Sequence, residues 1–93
     1  MYGTVARTGV RPENRQALRA VLQRQHYADV PGFIASYVLF EDGSDAAWLF
    51  AVFADRASYE RNADDSAQHE RYLAYRPLLE EEPEWHDGEI DGM

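Results

Sequence analysis

Residues 46–53 read AAWLFAVF. A strand with one face on a core and the other in water alternates apolar with polar side chains, since successive residues point to opposite sides of the sheet. Here Ala46, Trp48, Phe50 and Val52 form one face and Ala47, Leu49, Ala51 and Phe53 the other, and neither carries a polar group. Both faces of this strand need a cover. The preceding run FIASYVLF (33–40) has the same character apart from Ser36, and EDGSD (41–45) between them holds Asp42-Gly43, a hairpin turn signal.

Outward from this hairpin, YGTVARTGV (2–10) reads as a first strand rich in Thr and Val, and Arg11-Pro12 opens a helix with Pro in its first turn. Ala17, Leu18, Val21 and Leu22 fall at helical spacing within residues 14–25, with Arg15, Arg19 and Arg24 outside the stripe. His26 closes that helix, where the dipole welcomes a cation. Pro31-Gly32 breaks the chain before the second strand. After the third strand, Asp55 caps a short helix, DRASYERNA, and Asp64, Asp65 and Ser66 offer oxygens to the first amides of AQHERYLAYR. Pro77 ends or kinks that helix. EWHDGEI (84–90) reads as a final strand. The order βαββαβ predicts one α+β domain over residues 1–93, a ferredoxin-like four-stranded antiparallel sheet with its helices on one side. Helices on one side leave the other apolar face bare, and the simplest cover is a second copy, a homodimer with two sheets face to face.

Composition narrows the function. Apolar residues are 45% and charged residues 28% of 93, as in a folded globular domain. No run approaches the ~20 apolar residues of a membrane span and the N-terminus lacks a signal-peptide pattern, so the expected setting is cytoplasmic with no membrane partner. Without cysteine there is no disulfide and no thiolate chemistry. Residues 1–40 carry five arginines against Glu13 and Asp29; residues 41–93 carry four against fifteen acids, within a net charge of −8. That balance disfavours nucleic acid as a partner. RNA-recognition modules share the βαββαβ order, and Trp48, Phe50 and Phe53 mimic the spacing of their stacking aromatics, but Ala46 and Ala47 stand where a basic residue and a glycine belong.

The string from PGFIASYVLF through AAWLFAVFADRASYERNADDSAQHERY to PEWHDGEI resembles the antibiotic biosynthesis monooxygenase family of the dimeric α+β barrel superfamily. The resemblance rests on Pro31-Gly32-Phe33 and on the step from third strand to helix, an aromatic, an acid and then Ala-x-Tyr. It implies a ligand pocket between sheet and helices, a homodimer, and cofactor-independent oxygenation of an activated phenol, the substrate itself being the reductant. The family's strand asparagine and tryptophan fall on Leu49 and Phe53; its helix tyrosine is matched by Tyr59, and its second-helix arginine corresponds to Arg71. By the same resemblance the odd face of the third strand lines the pocket and Trp48, Phe50 and Val52 form the dimer side. Haem-degrading relatives imply an asparagine near Ala6, a tryptophan near Asn62 and a haem ligand near His69; the first two are not kept and His69 lies about one turn from the ligand position, so no cofactor is expected, with haem as the alternative.

The candidate catalytic residues are Tyr59 and His69, the second a histidine with a pKa suited to act as base. Leu49, Phe53, Asn62, Arg71 and Tyr72 are the candidate ligand contacts. Each has a plainer reading: a helix histidine bonded to a neighbour, a packing tyrosine, and for Asn62 a turn at NADD. Tyr72 and Tyr75 are expected to differ in burial, Trp85 to be core or interface, and His86 its outward neighbour. Three scattered histidines make no metal signature. A small apolar or aromatic molecule is the expected ligand; the alternatives are a non-catalytic ligand-binding or stress-associated barrel protein and a lactone or enol isomerase.

Overall fold

In the computed structural model, which describes residues 1–25, 27 and 29–93, the chain runs β1 (Tyr2–Gly9), α1 (Pro12–Arg24), β2 (Phe33–Phe40), β3 (Ala46–Phe53), α2 (Arg56–Ala63), α3 (Ser66–Tyr75) and β4 (Glu84–Glu89). A 3-10 turn at Arg76–Leu78 carries Pro77, where the α-helical hydrogen bonding ends. The four strands make one antiparallel sheet in the order β2-β3-β1-β4. This is the ferredoxin-like arrangement that the order of elements predicts, with α2 as an additional helix. The expected cap at His26 lies outside the described residues.

The turns and caps follow their local chemistry. Gly43 takes φ +78° in the β2–β3 turn, a left-handed conformation that suits glycine. Asp55 accepts from the Ser58 amide at 2.8 Å to start α2, and Asp65 accepts from the Ala67 amide at 2.9 Å to start α3. Each carboxylate takes up an amide that the first turn of a helix leaves without a partner. Helix α1 begins at Pro12, two residues before the 14–25 span that holds the apolar stripe, since proline's fixed φ fits a first turn.

The core lies on one side of the sheet. Ala6, Ala47 and Leu49 pack with Val10, Leu18, Tyr75 and Leu79, and Val21, Leu22, Val38, Phe40 and Tyr72 close around them. The odd residues of β3 therefore face the helices; Leu49 is 6% and Phe53 2% exposed. Burying side chains of this size contributes roughly 1.5–3 kcal/mol each.

The even residues of β3 face the other way. Strand register aligns Leu39 with Trp48, Tyr37 with Phe50 and Ala35 with Val52 on one side, and Arg7, Val5 and Gly3 with the same three on the other. Among the described residues no helix crosses this side, and Tyr37 and Leu39 are 65% and 49% exposed. Because Phe53 points into the core while Trp48 and Phe50 point out, the three aromatics do not form the common stacking surface that an RNA-recognition module needs.

Candidate ligand cavity

Between the core side of the sheet and the helices lies a cavity of about 680 Å³, within the size range of small-molecule sites. Its floor is the sheet. One cross-strand row, Val38, Leu49, Ala6 and Trp85, is apolar; the next, Ser36, Ala51, Thr4 and Asp87, is polar except for the small Ala51. The walls are aromatic: Tyr27 before β2, Phe53 at the end of β3, Tyr59 on α2, and Tyr72 and Tyr75 on α3 all line it.

Tyr59 is set by the chain just before it. Asp55 and Ser58 lock the first turn of α2, the Ser58 hydroxyl donating to the Asp55 carboxylate at 2.6 Å. The Tyr59 ring then packs edge-on against Phe53 and Tyr2, with centroids at 5.6 and 5.3 Å. Its hydroxyl donates to Asp87 Oδ1 at 2.8 Å. Burial, reinforced by the Asp87 carboxylate and opposed by the Thr4 hydroxyl, pushes its pKa up to about 12. At neutral pH Tyr59 is a phenol whose proton is committed to Asp87, a donor rather than a base.

His69, in the first half of α3, lines the cavity together with Gln68 of the same helix and Asn62 of α2. Asn62 donates from Nδ2 to Gln68 Oε1 at 3.2 Å. Arg71 does not line the cavity. It stands behind the wall, donating from Nη1 to Gln68 at 3.2 Å and Asn62 at 3.5 Å, with its guanidinium 4.9 Å from the centroid of the Tyr27 ring. In this geometry Arg71 is bonded to two lining amides and is not itself part of the lining.

Leu49, Phe53, Asn62, Tyr59, His69 and Tyr72 all meet at this cavity. Tyr75 is buried and Tyr72 half-buried, as the expected difference required, yet both line the cavity and their rings meet edge to face at 5.4 Å. The Tyr72 hydroxyl donates to Glu82 at 2.6 Å. That bond, with Arg76, holds the Glu82 carboxyl below its usual range. Trp85 is neither core nor sheet interface: it is 43% exposed and lines the cavity, while His86, opposite Val5, lies on the uncovered face. Thr4, Ser36, Asp87, Tyr27 and Gln68 were not singled out from the sequence. The signal for the first three was the alternation of their strands, readable only once the register is known. Among the described residues, no three His, Asp or Glu side chains converge as a metal site would require.

Residues 1–76 match the antibiotic biosynthesis monooxygenase family. No curated protein matches the sequence. Solved structures share the fold: a monooxygenase from the gene ActVA-Orf6 of Streptomyces coelicolor, in complex with nanaomycin D, superposes with a TM-score of 0.84 at 19% identity, covering 99% of this chain and 88% of that one. SnoaB, a cofactor-independent oxygenase from Streptomyces nogalater, gives 0.80 at 21% identity over 99% and 94% of the two chains. A conserved protein from Methanosarcina mazei Go1 gives 0.78 at 17% identity over 97% and 92%. At these identities the superpositions speak for the fold, and the family match speaks for descent: the chain belongs to the antibiotic biosynthesis monooxygenase family.

Proposed function

We propose that this protein binds a small, largely apolar aromatic molecule between sheet and helices and oxygenates it without a cofactor. The observation that carries this reading is the aromatic cavity of about 680 Å³, with the phenol of Tyr59 and the imidazole of His69 among its lining groups. An activated anthrone supplies its own electrons. Removal of a proton from its CH₂ gives a carbanion that reduces dioxygen; the CH₂ becomes C=O and the second oxygen atom leaves as water. His69 takes the proton in this scheme and the Tyr59 oxygen accepts a hydrogen bond from a ligand hydroxyl, while the apolar walls limit access of water to the carbanion. The description of SnoaB as cofactor-independent is in keeping with it.

The active form in this reading is a homodimer, the uncovered sheet face of one copy on that of another, with Trp48, Phe50 and Val52 at the centre. The support is the apolar row structure of that face and its exposed Tyr37 and Leu39.

The test is oxygen uptake with 1,8-dihydroxy-9-anthrone. Turnover is expected in the wild type, and Tyr59→Phe and His69→Ala each lower the rate by about a hundredfold, the ordinary worth of a positioned acid or base. Intact rates in both variants would overturn the site assignment. A second reading, a binding protein without turnover, is favoured by one feature: Leu49 and Phe53 are buried hydrocarbon where the resemblance expects polar donors. Saturable binding of the anthrone with no oxygen uptake would establish it.

A further inference from the structure

The cavity floor is chemically divided, and the division says which ligands fit. Of the four residues in the row Ser36, Ala51, Thr4 and Asp87, three present oxygen, and all four line the cavity. The row on one side is Val38, Leu49, Ala6 and Trp85; the row on the other is Phe33, Phe53, Tyr2 and Glu89, of which Phe53 lines the cavity. A ligand lying on this floor rests its hydrocarbon on Val38, Leu49 and Trp85 to one side and Phe53 to the other, and crosses a polar stripe one residue wide.

The stripe ends in a carboxylate. The Thr4 hydroxyl donates to the His86 carbonyl at 3.2 Å, and the Tyr59 hydroxyl donates to Asp87 Oδ1 at 2.8 Å. Both protons nearest Asp87 are thus committed within the protein. What remains toward the cavity is acceptor capacity: the lone pairs of Tyr59 and Thr4 and the second oxygen of Asp87. No salt bridge to Asp87 is formed among the described residues.

Resting on the reading of the cavity as a small-molecule site, we propose that Asp87 is its specificity-determining residue: it accepts a hydrogen bond from a neutral hydroxyl on an aromatic ligand and turns away ligands that carry a carboxylate at that position. A hydroxyl donating to a carboxylate makes a charge-assisted bond, shorter and stronger than one between neutral groups. A ligand carboxylate in the same place meets a like charge and no free donor.

The test uses three probes of one shape, naphthalene, 2-naphthol and 2-naphthoate, titrated calorimetrically at pH 7 into the wild type, Asp87→Asn and Asp87→Glu. The wild type should bind 2-naphthol at least about tenfold more tightly than 2-naphthoate, the worth of one charge-assisted bond over a repulsion. Asp87→Asn, which keeps the shape and loses the charge, should bring that ratio to within about threefold, and Asp87→Glu should restore most of it. A ratio unchanged in Asp87→Asn overturns the role of Asp87 while leaving the cavity a binding site. Failure of all three probes to bind the wild type overturns the cavity reading and this proposal together.

Discussion

Tyr59 joins the best-supported chemistry to the most testable electrostatics. Its ionisation is held back to about pH 12 by burial and by the carboxylate that accepts its proton, so the folded protein keeps a proton that the unfolded chain releases near 10.0. The sign follows by linkage: this stabilising contribution is full below pH 10 and is lost as the pH rises through 12. The tyrosinate absorbance of Tyr59→Phe should therefore match that of the wild type up to about pH 11 and fall below it only beyond that point. A gap opening near pH 10 would mean that Tyr59 is neither buried nor held by Asp87 as the structure has it. The tyrosine itself was legible in the sequence from the Ala-x-Tyr step after β3. Its partner was not, because Asp87 lies 28 residues away and meets it only when β4 pairs with β1.

Among the elements, α2 depends on a glycine outside itself. Gly32 takes φ +79°, and a Cβ there would fall 2.4 Å from the Cβ of Ser58. Its carbonyl also accepts from the Ala54 amide at 2.7 Å, so the break before β2 and the start of α2 are clamped together. Gly32→Ala combines a left-handed conformation with a clash against a buried side chain, and is expected to destabilise the fold by about 2–4 kcal/mol. Chemical denaturation would measure it, and unchanged stability would mean that α2 shifts freely. Because Tyr59 follows Ser58 directly, the same change should also weaken binding of an aromatic probe. The bounds of β2 and β3 were readable to the residue, since apolar runs end sharply at turn residues. The role of Arg71 was not: the family resemblance makes it a ligand contact, but its hydrogen bonds to Asn62 and Gln68 hold the guanidinium out of the cavity lining.

For the molecule as a whole, the uncovered sheet face is the dominant feature. Leu39 is 49% exposed and aligned with Trp48 on that face, so an acidic residue there costs little within one chain and much within a pair of sheets. Light scattering of the wild type should give twice the 10.7 kDa chain mass, and Leu39→Asp should shift it toward the single-chain value by raising the dissociation constant at least about a hundredfold. A wild type at 10.7 kDa at micromolar concentration would refute the dimer.

Local pattern was enough for the elements and their order. Periodicity, turn residues and caps act within a few positions of one another, and the doubly apolar strand at 46–53 already required a cover on both faces. The site was decided by pairing. Which residues share a row of the sheet depends on register, which sets Thr4 beside both Asp87 and Ala51. Only that alignment turns a threonine, a serine and an aspartate from three strands into one polar stripe under an aromatic roof, because their proximity is a property of hydrogen-bonded neighbours and not of neighbours along the chain.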